Sequence, residues 1–275
     1  MCRTRCGFIW GLLHESQRLS TRDRATRDRA RSVGARRNQS RNCASSLFSD
    51  AAIVYRLKMR IILPSGTPAE IHRVEGSSRG LVVFPDIFGL RPLFDDVVRQ
   101  LAQDWGMTTI AVEPFPGHVF GTDANERFAQ VSSLRDVDKM RDLMEAADAT
   151  QCSSVAMIGF CMGGMYCHKA VQTHRFSKIV SFYGMIRLPE AWRSACQSEP
   201  LECLVAGDAS SVLAIIGDKD TWTPPEDVQA LVASGVRVQR YADGEHGFAH
   251  DVARPAHRVA DAADAFLSAG KWLRS

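Results

Sequence analysis

The sequence predicts a doubly wound α/β fold, in which a mostly parallel sheet carries helices on both faces. Segments of strand composition alternate with segments of helical periodicity from about residue 57 to the end of the chain. One strand segment, residues 79–85, is a continuous apolar run of the kind that is buried on both faces of a parallel sheet. With 275 residues, of which 45% are apolar, the chain can bury one large core, and a single α/β domain is favoured over two.

The predicted elements follow in a regular order. The turn signal Pro64-Ser-Gly66 separates the first two strands. The first helix begins at Pro92, a residue that suits the first turn, and apolar residues then recur on one face. Strands are expected at residues 57–63, 69–74, 79–85, 107–112, 155–158, 178–183, 212–216 and 236–241. Helices are expected at residues 92–105, 125–149, from 162 onward, 225–233 and 258–272.

The segment Gly159-Phe-Cys161-Met-Gly163 lies between a predicted strand and the helix that follows it. It has the form glycine-x-nucleophile-x-glycine of a nucleophile elbow, with a thiol in place of the commoner serine. Such a turn strains the backbone of its central residue, and a Cβ at either glycine would collide across the turn. The alternative is a buried structural cysteine, since free cysteine usually behaves as a small hydrophobe.

Candidate partners for Cys161 follow other strands, because ligands of such sheets gather beyond the carboxyl ends of the strands. Cys161, an aspartate and His246 occur in the chain order of a nucleophile, acid and histidine triad. The thiol needs a base to take its proton, and the base needs a carboxylate to orient it. Asp218 and Asp220 compete for the acid position, and Asp220 is favoured because it opens a turn into the next helix. Asp86 and Tyr183 also stand at strand ends.

The first 56 residues differ from the rest of the chain. Residues 1–50 hold eleven Arg and four acidic residues, a balance of +7, and are rich in Ser. This composition supplies no core and predicts a disordered basic arm before a globular domain at residues 57–275. Three interpretations stay open: a true arm, an organellar transit peptide, or sequence upstream of a natural start at Met59.

The composition of the remainder excludes several function classes. After residue 50 the chain carries 23 basic and 27 acidic residues, which gives no support for nucleic-acid binding by the globular part. No apolar run approaches the length of a membrane-spanning helix. The cysteines lack metal-ligand spacing, and Cys161 and Cys167 are not expected to form a disulfide. A reducing compartment fits best, so the expected location is cytoplasmic, or organellar if the arm is a transit peptide.

The globular part resembles the dienelactone hydrolase family of the α/β-hydrolase fold over about residues 57–272. Three separated segments carry the resemblance: Pro85-Asp-Ile-Phe-Gly89, the cysteine elbow with Gly164, and Glu245-His-Gly-Phe248. The resemblance implies hydrolysis of an enol-lactone ring without metal or cofactor. The family's acid opens an Asp-x-x-x-Pro stretch, which matches Asp220 to Pro224 and strengthens the choice of Asp220.

The sequence departs from the family pattern at two places. Asp86 replaces a glutamate that contacts the resting thiol in the family, and it is one methylene shorter. His250 replaces an arginine that holds the substrate carboxylate. We therefore expect His250 to act as a weaker, pH-dependent anion clamp. A second carboxylate-binding arginine of the family has Arg127 as its nearest candidate.

The predicted chemistry is acyl transfer to the Cys161 thiolate, followed by hydrolysis. The backbone N–H groups of Met162 and Ile87 are the expected oxyanion donors. Phe88, Tyr183 and Trp222 are candidates to line an apolar pocket, although each is a candidate core residue as well.

The expected partner is a small ester or lactone, with no nucleic acid and no membrane, and the protein is expected to be a monomer or homodimer. A thioesterase or broad carboxylesterase with the same triad remains an alternative. A non-catalytic binding protein and a redox-sensing cysteine protein are less favoured, the second because no resolving cysteine stands at an obvious position.

Overall fold

The structure is a computed structural model that describes residues 59–121 and 123–275. The predicted arm, residues 1–56, lies outside the described residues. The described part contains one eight-stranded sheet flanked by helices, which confirms the predicted α/β-hydrolase fold. Its strands are β1 (Met59–Ile62), β2 (Pro68–His72), β3 (Arg79–Phe84), β4 (Thr108–Val112), β5 (Ser154–Phe160), β6 (Ile179–Phe182), β7 (Val212–Gly217) and β8 (Arg237–Tyr241).

The strands are ordered β1-β2-β4-β3-β5-β6-β7-β8. The pairs β1–β2 and β2–β4 are antiparallel, and all other neighbours run parallel. In the centre, Val82 of β3 is in register with Ile110 of β4 and Met157 of β5, and none of the three is exposed. Parallel strands need crossover connections, so the carboxyl ends of β3 and of β5 to β8 meet at one edge of the sheet.

Helices fill the crossovers: α1 (Pro92–Trp105), α2 (Ala124–Val131), α3 (Asp136–Ala149), α4 (Met162–Ala170), α5 (Pro200–Ala206), α6 (Pro225–Ala233) and α7 (Val259–Leu273). The bounds of α1 and α6 agree with the sequence prediction at both ends. Pro92 lies in the first turn of α1, and Gly106 ends the helix in the left-handed conformation at φ 65°.

The single helix predicted at residues 125–149 was wrong, because the structure has α2 and α3 there. The helix is interrupted at Ser132 and Ser133. Their hydroxyls donate to the carbonyls of Ala129 and Gln130, so these side chains compete with backbone N–H groups for the carbonyl acceptors. The Asp136 N–H then donates to the Cys196 carbonyl at 3.0 Å as α3 begins. The resulting break sets α2 apart as a short helix next to the candidate site.

Candidate active site

The elbow holds Cys161 between β5 and α4 with φ 57° and ψ −119°, a conformation that is strained for a residue with a side chain. Both flanking glycines are required by close packing. A Cβ at Gly159 would collide with the Gly163 carbonyl, and a Cβ at Gly163 would collide with the carbonyl oxygens of Phe84 and Pro85. The turn therefore forms as the sequence motif predicted, and it presses α4 against the end of β3.

His246 lies after β8 and contacts Asp220, which lies after β7. The distance from His246 Nδ1 to Asp220 Oδ2 is 2.9 Å. The other carboxylate oxygen of Asp220 accepts the Trp222 N–H at 2.9 Å, so the buried carboxylate is held on both sides. The competing acid, Asp218, is bound to Arg240 at 2.7 Å on the surface instead. Of the two candidates, the structure brings only Asp220 to the histidine.

The second nitrogen of His246 faces the thiol of Cys161. Burial lowers the pKa of His246, but the negative charge of Cys161 and hydrogen bonds to Asp220 and Cys161 outweigh burial and raise the pKa to about 10. The protonated imidazolium is thus favoured at this position, between Cys161 and the Asp220 carboxylate. Cys161, Asp220 and His246 lie together as one connected group.

Two backbone N–H groups, one following Cys161 in the chain and one in the loop after β3, have no hydrogen-bond acceptor among the described residues. One belongs to Met162, the first residue of α4, and the other to Ile87, in the loop after β3. Because Gly163 lies against Phe84 and Pro85, these two N–H groups are on chain segments that are packed together.

A second histidine, His250, forms a buried chain of hydrogen bonds behind the triad residues. Its Nε2 lies 2.7 Å from Asp86 Oδ2, and its Nδ1 contacts the hydroxyl of Tyr183. Arg91 binds the same carboxylate through both terminal nitrogens, at 2.6 and 2.9 Å. Burial raises the pKa of Asp86, but the hydrogen bonds and charges of His250 and Arg91 outweigh burial and hold the pKa well below its ordinary value.

Aromatic rings form one side of the space next to His246. Trp222 lies 6.1 Å from the imidazole between ring centroids and is partly exposed. It stacks with Phe128 of α2 and with Trp192, at centroid distances of 5.9 and 5.8 Å. We call Phe128, Trp192 and Trp222 the aromatic wall. Sequence reasoning missed Phe128 and Trp192, because neither lies at a strand end.

Arg127 of α2 lies between two more rings. Its guanidinium carbon is 5.9 Å from the centroid of Phe88 and 4.5 Å from that of Phe120. Its Nε is buried, and the guanidinium has no hydrogen-bond or ion-pair partner among the described residues. Arg127 and Phe88, two of the predicted substrate-binding residues, thus lie next to each other.

The sequence matches the dienelactone hydrolase family over residues 68–275. The chain belongs to this family. A probable 2-oxo-3-(5-oxofuran-2-ylidene)propanoate lactonase of Bradyrhizobium sp. is 26% identical over 220 residues, which cover 73% of this chain and 85% of that protein. Carboxymethylenebutenolidase 2 of Cupriavidus pinatubonensis is 24% identical over 190 residues, covering 66% of this chain and 78% of that protein.

The same architecture occurs in a putative dienelactone hydrolase of Klebsiella pneumoniae, whose crystal structure superimposes with a TM-score of 0.69 at 24% identity. That match covers 80% of this chain and 98% of the other. As a dienelactone hydrolase family member, the protein is a carboxylic ester hydrolase. In the part of the chain that the structure describes, no group of His, Cys, Asp and Glu is arranged to hold a metal ion. No helix there is long and apolar enough to cross a membrane.

The departures from the dienelactone hydrolase pattern have consequences that the sequence did not predict. The expectation that His250 clamps a substrate anion was wrong, because its side chain is fully buried and both ring nitrogens are bonded to protein groups. Asp86 is buried, and Arg91, His250 and the Phe88 N–H occupy both of its carboxylate oxygens, so the expectation that it binds substrate was wrong. Tyr183 is fully buried and therefore presents no surface to a pocket.

Proposed function

We propose that the protein hydrolyses a carboxylic ester or enol-lactone through an acyl-cysteine intermediate formed on Cys161. The observation that carries this proposal is the position of His246, whose Nδ1 is held by Asp220 at 2.9 Å while the other nitrogen faces the elbow thiol. A thiol needs a base to become a nucleophile, and an imidazole oriented by a carboxylate is such a base.

In the first step the Cys161 sulfur attacks the ester carbonyl carbon, and the proton from the thiol resides on His246. The carbonyl oxygen becomes an oxyanion and accepts hydrogen bonds from the N–H groups of Met162 and Ile87. When the intermediate collapses, the carbon–oxygen bond to the leaving group breaks. His246 gives its proton to the leaving alcohol or enol, and the acyl group remains on sulfur.

In the second step a water molecule attacks the acyl-cysteine carbonyl while His246 takes one of its protons. The same two N–H groups hold the second oxyanion. Collapse releases the carboxylic acid and returns the proton to sulfur, so neither metal nor redox cofactor is needed to balance the reaction. Asp220 keeps the imidazole oriented throughout and stabilises its charged form.

The substrate would lie between the aromatic wall and Arg127. Trp222 and Phe88 offer apolar ring surface to the acyl or leaving group. Among the described residues the guanidinium of Arg127 has no hydrogen-bond or ion-pair partner. It is suited to a carboxylate on the substrate, because arginine binds carboxylates through two parallel hydrogen bonds. Lactones of the kind named for the Bradyrhizobium and Cupriavidus relatives fit this description.

The test is a hydrolysis screen of enol-lactones, aryl esters and thioesters, combined with intact-mass measurement after rapid acid quench. Turnover of an ester or lactone, with a mass increase equal to the acyl group that is absent in Cys161→Ala, would support the proposal. Cys196→Ala is the matched control, because this thiol is free and exposed on the surface. Near-normal turnover by Cys161→Ala would overturn the proposal. Preference for thioesters alone would move the substrate class to the thioesterase alternative.

A further inference from the structure

Within the mechanism proposed above, we infer that Tyr183 is a positioning residue for His246 and is itself held in place by His250 and Asp86. Tyr183 reaches no substrate, since its side chain is fully buried. It contacts the ring of the proposed base on one side and the buried hydrogen-bond chain on the other.

The backbone of Tyr183 is strained in a way that calls for a reason. Its φ is +40°, in the left-handed region where a bulky side chain is unfavourable and glycine would be relaxed. Its N–H donates to the Ile215 carbonyl at 2.8 Å, which ties the strained residue to β7. Strain of this kind persists where the surroundings hold it, and it is concentrated at functional sites.

The hydroxyl of Tyr183 is the end of a chain of buried polar groups. Burial raises the pKa of Tyr183 well above its ordinary value, so the hydroxyl keeps its proton and stays hydrogen-bonded to His250 Nδ1. The Nε2–H of His250 then donates to Asp86, which Arg91 holds in turn. The position of the tyrosine ring is therefore fixed by a hydrogen bond at its far end as well as by packing.

That ring packs against the imidazole of His246 in an edge-on arrangement, with centroids 5.4 Å apart and planes at 65°. Trp222 contacts the same imidazole at 6.1 Å, and Asp220 holds its Nδ1. Three contacts thus restrict the two side-chain torsions of His246. If one of these contacts is lost, the imidazole ring of His246 can rotate, and its free nitrogen then spends less time at the thiol.

A tyrosine with a purely structural role would behave differently. Removal of its hydroxyl would lower stability and leave proton transfer at His246 unchanged. Tyr241 provides the matched comparison: its hydroxyl binds Asp264 at 2.9 Å, and its ring packs on Phe248 just as the ring of Tyr183 does. Tyr241 is also largely buried, but no contact joins its ring to His246.

The experiment compares Tyr183→Phe and Tyr241→Phe in the full chain. For Tyr183→Phe we expect kcat to fall about tenfold with KM unchanged, because misorientation of a catalytic group costs turnover and not binding. The pKa of His246, measured by NMR titration in both proteins, should be lower in Tyr183→Phe than in the natural sequence, since the contacts with Cys161 and Asp220 that raise it weaken. Alkylation of Cys161 by iodoacetamide at pH 7 should slow. Tyr241→Phe should change none of the three.

Unchanged kcat, titration midpoint and alkylation rate in Tyr183→Phe would overturn the inference, as would equal changes in Tyr241→Phe. If Tyr183→Phe does not fold, Asp86→Asn decides, because it weakens the far end of the same chain without touching the tyrosine. It should shift the same measurements in the same direction by a smaller amount, and no shift would overturn the inference. Failure of the proposed function is separate: it would appear as retained turnover in Cys161→Ala.

Discussion

Two aspartate–histidine pairs lie at the same edge of the sheet, and they differ in what remains free on the imidazole. In the open pair, His246 binds Asp220 through Nδ1 and leaves its other nitrogen to Cys161. In the sealed pair, His250 binds Asp86 through Nε2 and Tyr183 through Nδ1, so no nitrogen is left for a reactant. Identical residue types thus leave a nitrogen free for the proposed chemistry in one place and leave none free in the other.

Both pairs are buried, so burial alone does not separate them. The open pair borders the space lined by Trp222, whereas the sealed pair is enclosed by Phe94, Phe160 and Tyr183. Substitution in the open pair should therefore appear in kcat, and substitution in the sealed pair should appear first in the free energy of unfolding.

The largest expected effect is the loss of activity when the proposed nucleophile or the proposed base is removed. Cys161→Ala or His246→Ala should each lower kcat/KM by several powers of ten, in line with other triads. The measurement is steady-state hydrolysis of the best substrate from the screen. His250→Gln is the contrasting variant within the comparison and should retain far more activity than His246→Gln. Equal losses in these two glutamine variants would contradict the distinction between the pairs.

Exchange of each carboxylate for an amide should separate the pairs in a second way. Asp220→Asn should lower kcat by at least a hundredfold with little loss of stability, because the wrong imidazole tautomer is then favoured. Asp86→Asn should lower the free energy of unfolding by about 3 kcal/mol, the scale for breaking a buried ion pair. Asp218→Asn is the surface control. A larger kcat loss in Asp218→Asn than in Asp220→Asn would transfer the acid role.

The sealed pair should also determine part of the acid stability. The pKa of Asp86 is depressed below its ordinary value of 3.8, so the carboxylate stabilises the fold fully above pH 3.8. That contribution is lost as the pH falls below 3.8 towards the folded-state pKa. Urea unfolding between pH 3 and 6 should show a steeper decline for the natural sequence than for Asp86→Asn. Parallel curves would mean that Asp86 carries no such linkage.

The smallest expected effect concerns the aromatic wall that borders the open pair. Trp222→Ala should raise KM for aryl esters about fivefold, corresponding to about 1 kcal/mol of lost ring contact, and change KM for small alkyl esters little. Trp222→Phe keeps a ring, so its KM for aryl esters should lie between those of the natural sequence and Trp222→Ala. If aryl and alkyl esters respond equally, the wall does not contact the substrate.

Features that depend on local steric requirements could be predicted from the sequence, whereas features that depend on distant partners could not. The elbow could be read from five residues because its requirement is steric and local: a Cβ at Gly159 or Gly163 cannot be accommodated. The chain order of nucleophile, acid and histidine then predicted that Asp220 and His246 lie on loops after neighbouring strands. The helix break at Ser132 and Ser133 was missed because a serine hydroxyl can cap or continue a helix, and only its acceptor decides.

The sealed pair was beyond such reasoning. Asp86 and His250 are 164 positions apart, and the sequence gives no signal that they bind each other. His250 replaces a family arginine that holds the substrate carboxylate, and this replacement suggested an anion clamp. The side chain instead turns to Asp86 and Tyr183, which its position in the sequence does not reveal. Arg91, five positions after Asp86, was the one nearby residue that could have been recognised as a competitor for the carboxylate.

Gly163 has a consequence for any attempt to redesign the enzyme by directed evolution. Its missing side chain lets the turn that carries the Met162 N–H lie directly on the Phe84 and Pro85 carbonyls, just before the Ile87 N–H. Any larger residue would push apart the two chain segments that carry the proposed oxyanion donors, so selection for activity should reject it whatever the substrate. Mutational libraries aimed at new esters should therefore leave the turn intact and randomise Phe88, Arg127, Phe128 and Trp222.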